Sequence, residues 1–196
     1  AELEGVIGSG ARRGKQFTFA LLDELVPVSK TLERDEALAE LARRYFTSHG
    51  PATLQDFVWW SGLIAADARA GLEMVKSEFI QEVIDRRAYW LSPSTITAKV
   101  ASPTAYLLPP FDEYTVAYKD RSAILDPLDT QQAKYALGPT IAVNGQIVGT
   151  WNRTFKKDAV AITTSPFTSL SEAENQAIAA AIERYSRFVG KSITTP

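Results

Sequence analysis

Two glycine breaks divide residues 31 to 92 into three short helical segments and a hairpin, and this pattern constrains the fold more than any other feature. Residues 33 to 48 predict the first helix, because their apolar side chains recur at three- and four-residue steps and form one stripe. The stripe consists of Leu38, Leu41, Ala42, Tyr45 and Phe46. Gly50 and Pro51 end this helix, since glycine supplies the C-terminal cap and proline cannot continue the helical hydrogen bonds.

A second, shorter helix is predicted directly after this break. Thr53 is a favourable N-cap, and Asp56 lies near the positive end of the helix dipole. The helix is expected to run to about Trp60 and to end at Gly62. A third helix follows over residues 65 to 76, with Ala68, Leu72 and Val75 on its inner face. His49 is expected to cap the first helix, although a catalytic role stays open for it.

Residues 79 to 84 and 88 to 91 have strand composition, with a turn predicted at 85 to 87. Helix, short helix, glycine turn, helix and hairpin is the order of a winged helix-turn-helix module, which we assign to residues 31 to 98. Such modules place the third helix in the DNA major groove and the hairpin beside the phosphates. Asp67 and Glu73 would be repelled by phosphates and this third helix is not strongly cationic, so a protein-binding module remains an alternative.

The first 30 residues predict the end of a helix that runs into a hairpin. Arg12, Arg13 and Gly14 form the expected turn, and residues 15 to 22 form the second strand, with Phe17 and Phe19 on one face. A hairpin alone is marginally stable. We therefore expect residues 1 to 30 to be the wing or tail of a preceding winged-helix module, in a fragment of a longer protein or in a naturally short homologue.

Residues 99 to 196 change to a strand-rich pattern. Strands are predicted at 106 to 108, 140 to 143, 146 to 151 and 159 to 164, with an Asn144-Gly145 hairpin turn and a basic turn at 153 to 158. Ser169 and Ser171 each precede a glutamate by three residues, which predicts a capped helix from 172 to 189. Its inner stripe is expected to contain Ile178, Ala181, Ile182, Tyr185 and Phe188. The fold class is thus α+β: winged helix-turn-helix units plus a small, β-barrel-like C-terminal domain closed by a helix.

Composition excludes several classes of function. With no cysteine and one histidine, disulfides, thiolate sites and histidine-rich metal sites are ruled out. No cofactor motif occurs, so we expect neither cofactor nor metal. No run approaches the roughly 18 apolar residues of a membrane helix, and no signal peptide opens the chain, which predicts a cytoplasmic protein without membrane contact. The net charge of −2 argues against sequence-blind polyanion binding, so DNA binding must depend on local geometry.

Nine cations are candidates for phosphate contacts: Arg12, Arg13, Lys15, Arg69, Lys76, Arg86, Arg87, Arg153 and Lys156. Asp112 and Glu113 form a candidate polar site, because two neighbouring carboxylates could serve in acid–base catalysis. The alternative is a structural loop in which Asp112 caps backbone N–H groups and Arg121 pairs with Asp120. Of Trp59 and Trp60, at least one is expected in the core, because adjacent helical residues face different ways.

Four segments, at residues 3 to 27, 43 to 72, 107 to 127 and 139 to 151, resemble the bacterial winged-helix DNA-binding domain proteins related to the interstrand-crosslink and alkylpurine DNA glycosylases. This resemblance implies double-stranded DNA as partner, and several winged helices around a C-terminal barrel, including an N-terminal winged-helix region missing from this chain. The family's catalytic Gln-x-Gln or Gln-x-Asp motif does not occur here, so no catalytic residue is carried over. The expected function is the DNA-binding C-terminal portion of a DNA-repair glycosylase-like protein. A non-catalytic regulator or protein-interaction scaffold is the alternative.

Overall fold

The computed structural model describes residues 1–2, 4–26, 31–97, 102–125, 135 and 137–194. Two compact units are present, residues 1–37 and residues 38–196. The predicted domain boundary at 98/99 lies outside the described residues. In the part of the chain that is described, no helix is both long and apolar enough to cross a membrane.

The first unit contains an antiparallel hairpin. Strand β1 (Ile7–Ser9) pairs with β2 (Phe19–Leu21), and helix α1 (Leu22–Leu25) follows. The hairpin confirms the prediction, but β2 is shorter than the predicted strand, since residues 15 to 18 contribute only an isolated bridge between Arg13 and Gln16. Two expectations are wrong here. Leu22 was predicted to end the second strand, but it begins helix α1. Residues 4 to 6 form turns and a bend where the end of a helix was predicted.

Three helices and a hairpin follow in the predicted order. They are α2 (Arg34–His49), α3 (Leu54–Ser61), α4 (Ala65–Val75), a 3-10 turn (Lys76–Glu78), β3 (Ile80–Ile84), β4 (Arg87–Leu91) and a second 3-10 turn (Pro93–Thr97). The core between the helices is formed by Ala42, Tyr45, Phe46, Phe57, Leu72 and Val75. Burial of the predicted apolar faces therefore holds these helices together.

Local sequence explains where these helices begin and end. Thr53 and Asp56 form a reciprocal capping box at the start of α3, and Gly62 ends that helix in the left-handed conformation at φ 70°. Gly71 allows α4 to approach α2, because a Cβ atom at this position would lie 2.7 Å from the backbone oxygen of Leu38. Only glycine fits this contact without a shift of the backbone.

The β3–β4 hairpin has a two-residue turn. Asp85 and Arg86 both have positive φ, 48° and 63°, as in the tight turns whose twist matches that of paired strands. Ile84 pairs with Arg87, so Arg87 belongs to β4 and not to the predicted turn. A two-residue loop suffices to reverse the chain here.

The remaining elements form a sheet with one long helix. They are β5 (Ala105–Leu108), α5 (Glu113–Val116), β6 (Thr140–Val143), β7 (Gln146–Phe155), β8 (Ala159–Pro166), α6 (Glu172–Val189) and β9 (Ser192–Thr194). The strands lie in the order β5-β6-β7-β8-β9, antiparallel except for β8 and β9. The β6–β7 ladder shifts its register between Ile141 and Ala142, which marks a bulge or another irregularity of the pairing. The protein is thus mixed α+β, with a curled five-stranded sheet.

Helix α6 covers this sheet. Ile178 and Ala181 pack into the same core as Ile141, Trp151 and Val160 of the strands. The capping box forms at Ser171 and Glu174, as predicted for that pair.

Two details of the predicted C-terminal part are wrong. Phe188 is 86% exposed, so it does not belong to the inner stripe of α6. Arg153 lies within β7, because this strand continues to Phe155 and the turn to β8 spans only residues 156 to 158. The pairing of Arg153 with Ile162 extends the ladder through the segment predicted as a turn.

Candidate nucleic-acid interface

A depression of about 350 Å³ brings together cations from three separate parts of the second unit. Arg69 comes from α4, Arg86 and Arg87 come from the β3–β4 hairpin, and Lys119 comes from the loop after α5. We call it the cationic depression; its lining residues are Thr53, Leu54, Gln55, Asp56, Arg69, Arg86, Arg87, Ala88, Lys119 and Asp120. Three of the nine predicted phosphate contacts therefore meet here. Lys119 was missed, because an isolated lysine in a loop gives no sequence signal.

Buried Asp56 holds one wall of this depression in place. Its Oδ2 accepts hydrogen bonds from the N–H of Thr53 at 2.9 Å and from the Thr53 hydroxyl at 2.7 Å. Its Oδ1 accepts the backbone N–H of Lys119 at 2.9 Å. A carboxylate that is only 4% exposed is stable when several donors satisfy its oxygens. Asp56 thus fixes the Lys119 loop beside the start of α3.

Arg87 is paired with Asp120 across the depression. Hydrogen bonds from Ser122, together with that from Arg87, lower the pKa of Asp120 to about 2, so this carboxylate stays ionised at neutral pH. The expectation that Arg121 pairs with Asp120 is wrong. Arg121 instead donates its Nε–H to the backbone oxygen of Thr115. Arg87 is consequently a partly neutralised cation.

The other three cations of the depression are available to an anion. Arg69, Arg86 and Lys119 are exposed, and none of them forms an ion pair with any residue that the structure describes. Both carboxylates of the depression already accept hydrogen bonds within the protein, Asp56 from N–H and O–H donors and Asp120 from Arg87 and Ser122. Convergent, unpaired guanidinium and ammonium groups are the donors that bind phosphate.

A second pocket, of about 200 Å³, adjoins the cationic depression. Asp56 and Asp120 line both cavities, so the two cavities lie side by side. We call it the tyrosine pocket; its lining residues are Pro51, Asp56, Tyr89, Tyr114, Tyr118, Asp120, Ser122, Ala123 and Ile124. Tyr118 donates its hydroxyl to the His49 carbonyl oxygen at 2.8 Å, and Tyr114 donates to the Gly145 oxygen at 2.6 Å. Both rings are therefore held in fixed positions.

Burial raises the pKa of Tyr118 to about 12 and also raises that of Tyr114. Both phenols are consequently neutral at physiological pH. The pocket offers neutral aromatic rings beside the cations of the depression.

The other predicted cations lie elsewhere. Lys76 is paired with Glu73. Arg153 donates to the Tyr185 hydroxyl and lies 5.5 Å from the ring centres of Phe155 and Tyr185, in the region of the sheet. Lys156 is exposed in the β7–β8 turn.

In the first unit, the hairpin carries Arg12, Arg13 and Lys15. The Arg12 guanidinium lies 4.4 Å from the ring centre of Phe17. Nothing in this hairpin assigns these three cations to a particular anion, so they remain predicted contacts.

The Asp112–Glu113 pair has two different local roles. Asp112 caps the short helix α5, accepting the N–H of Tyr114 at 2.9 Å. Oε2 of Glu113 accepts the indole N–H of Trp60 at 3.2 Å and lies 3.2 Å from Nε2 of His49. His49 therefore does more than end α2. Among the described residues, no group of three His, Asp or Glu side chains could hold a metal ion.

The two tryptophans of α3 differ as expected. Trp60 packs against the helical core. Trp59 is 53% exposed and donates its indole N–H to the Val116 oxygen at 3.0 Å. One indole is thus part of the core, and the other links α3 to the end of α5 at the surface.

Comparison with known proteins identifies the family. The family model described as "DNA glycosylase AlkZ-like" matches residues 1–188. The solved structure of the Streptomyces sahachiroi DNA glycosylase AlkZ is similar, with a TM-score of 0.73 and 20% sequence identity over 98% of this chain. The chain spans 55% of the length of that protein, and a comparison with curated proteins finds no match. The chain belongs to the AlkZ-like DNA glycosylase family.

Proposed function

We propose that this chain is the DNA-binding portion of a glycosylase-like DNA-repair protein, and that the cationic depression contacts the phosphates of double-stranded DNA. The observation that carries this proposal is the convergence on one concave surface of Arg69, Arg86 and Lys119, three cations that form no ion pair with any described residue. Phosphate contacts supply most of the sequence-independent affinity for DNA. Because the net charge of the whole chain is −2, the argument for DNA binding depends on this local concentration of positive charge and not on the overall charge.

The order of elements supports the same function. α3, α4 and the β3–β4 hairpin follow one another as in a winged helix-turn-helix, where the last helix and the hairpin both reach DNA. Arg69 on α4 and Arg86 at the hairpin turn line one depression, so one segment of a DNA sugar-phosphate backbone could contact both side chains. Asp67 and Glu73 on α4 favour backbone recognition over reading of the bases.

In this proposal the reaction is base excision from alkylated or crosslinked DNA, carried out by the protein to which this portion belongs. The residues of this chain would bind and orient the duplex, since neither Gln-x-Gln nor Gln-x-Asp occurs in it. Incision of alkylated and crosslinked duplexes, with the chain alone and with the full-length reading frame, tests this part. Background activity from the full-length protein on both substrates would rule the reaction out.

Duplex binding measured over a range of salt concentrations tests the interface itself. The logarithm of the affinity should fall linearly with the logarithm of the salt concentration. Arg69→Ala, Arg86→Ala and Lys119→Ala should each weaken binding to all sequences alike and reduce the slope by about 1. Arg187→Ala, at an exposed position of α6, is the matched control and should change neither quantity.

Two other results would revise the proposal. If Arg153→Ala and Lys156→Ala weaken binding and the three depression variants do not, the interface lies on the sheet. A folded protein without salt-dependent duplex binding would instead favour a protein-interaction scaffold. Exposed apolar side chains support this second candidate. They are Ile64, directly before α4, Met74 on α4, and Val83 and Ile84 on β3.

A further inference from the structure

We infer that the tyrosine pocket receives a single unstacked nucleobase of bound DNA, while a phosphate of the same strand lies in the adjoining cationic depression. This inference rests on the proposed DNA-binding function and adds to it a base-binding site with a defined preference. The two cavities share the Asp56 and Asp120 walls, so a base and its neighbouring phosphate would occupy adjacent positions.

The size of the pocket matches one ring system. Pockets for drug-sized ligands have volumes of about 300–1,000 Å³. The tyrosine pocket, at about 200 Å³, is smaller and would admit one planar base. A base in duplex DNA must leave the stack to reach such a site, and this costs a few kcal/mol, less at damaged or single-stranded positions.

The lining presents aromatic and apolar surface to this base. The Tyr114 and Tyr118 hydroxyls are used in bonds to the Gly145 and His49 backbone oxygens. Their rings and that of Tyr89 therefore offer carbon surface, and Ile124 adds an apolar side chain. Stacking of a base on an aromatic side chain contributes about 1–3 kcal/mol and depends little on the base.

Asp120 gives the site its preference. A carboxylate has about four lone-pair positions. In the structure, Oδ1 of Asp120 accepts the N–H of Ser122 and Oδ2 accepts from Arg87, which leaves further acceptor capacity at the boundary of the two cavities. Ionised Asp120 can only accept hydrogen bonds, so it favours the bases with an exocyclic amino group, which are cytosine, adenine and guanine, over thymine.

Short single-stranded pentanucleotides, identical except for a central dC, dT or abasic residue, provide the test because they need no unstacking. Their affinities for the full chain can be measured by fluorescence anisotropy. The dC strand should bind about tenfold more tightly than the abasic strand, the fold-change of one stacked base. The dC strand should also bind more tightly than the dT strand, and Asp120→Asn should remove this second difference.

Two variants test the pocket without depending on one substitution. Tyr89→Leu removes an aromatic wall, and Ala123→Trp fills the pocket from its exposed rim. Both should lower the affinity for the dC strand to that of the abasic strand, whereas the control Arg187→Ala, at an exposed position of α6, should leave both affinities unchanged. Equal binding of the dC and abasic strands by the unaltered protein would overturn the base site alone. If neither the strands nor the duplex binds, the proposed function fails together with it.

Discussion

Oδ1 of Asp56 accepts the backbone N–H of Lys119, a residue 63 positions later in the chain, at 2.9 Å. Asp56 is also the capping-box residue of α3, so one carboxylate both starts a helix and fixes a distant loop. This bond positions the loop that carries Lys119 and Asp120 at the border of the two cavities. The geometry of the candidate site thus depends on a buried group that need not touch the ligand.

Replacing Asp56 by alanine should destabilise the protein. The substitution leaves the N–H groups of Thr53 and Lys119 without their acceptor and removes the helix cap, which together should cost about 2–4 kcal/mol. Urea unfolding followed by circular dichroism measures the free energy of unfolding. Gln55→Ala, at the exposed neighbouring position, is the control and should remain within about 0.5 kcal/mol of the parent. A similar effect of both substitutions would contradict the role of Asp56.

Replacing Asp120 by asparagine should strengthen duplex binding at low salt. The change removes a negative charge from the cationic depression and releases Arg87 from its ion pair. An exposed ion pair of this kind is worth up to about 1 kcal/mol, so the affinity should rise about fivefold at most. Binding in low and high salt measures the effect, which should shrink as salt screens it. An unchanged or lower affinity would show that Arg87 does not contact the duplex.

The free energy of unfolding should fall as pH rises from about 10 to 12, because Tyr118 loses its proton at a higher pH in the folded protein than in the unfolded chain. Its pKa is raised to about 12 by burial, above the ordinary value of 10.0, so the folded state binds more protons in this window. Each such tyrosine lowers the free energy of unfolding by up to about 1.4 kcal/mol per pH unit. Unfolding curves at several pH values should show a smaller decrease for Tyr118→Phe. An equal slope would place Tyr118 in contact with solvent.

Gly71→Ala should destabilise the protein, although alanine usually favours a helix over glycine by about 1 kcal/mol. The added Cβ would lie 2.7 Å from the Leu38 oxygen, so α2 and α4 must move apart. Overpacking of this kind costs about 1–3 kcal/mol. Thermal and urea unfolding measure the loss. Ala70→Ser, at the exposed adjacent position, is the control for substitution on α4, and a more stable G71A variant would contradict the close approach.

Glu113→Gln should leave duplex affinity unchanged, since Glu113 bonds to Trp60 and His49 and is not part of the cationic depression. Glutamine keeps an oxygen that can accept the indole N–H, so the stability cost should stay below about 1 kcal/mol. Glu113→Ala removes this acceptor and should alter the tryptophan emission. Reduced incision of alkylated or crosslinked duplexes by the folded Glu113→Gln variant would instead support the candidate acid–base role of the Asp112–Glu113 pair.

Local chemistry explains why much of the fold could be predicted. The helices around Tyr45, Phe57 and Leu72, the turn at Asn144-Gly145 and the capping box at Ser171 depend on residues close together in the chain. The errors lie where length or packing decides. β7 continues through Arg153 because β8 pairs with it, and Phe188 lies on the outer face of α6, since Tyr185 and Val189 are the residues on either side of it that pack on the sheet core.

The sequence by itself determined the order of the secondary-structure elements, the apolar faces of the helices and the family resemblance. It also singled out Arg69 on the third helix and Arg86 and Arg87 at the hairpin turn, without bringing the helix and the turn together. Only the tertiary structure brought these three together with Lys119, paired Arg87 with Asp120, and placed three tyrosines beside them. The physical reason is distance along the chain. Helix caps and turns act between neighbours, whereas the bond from Lys119 to Asp56 joins segments whose approach depends on the packing of the whole unit.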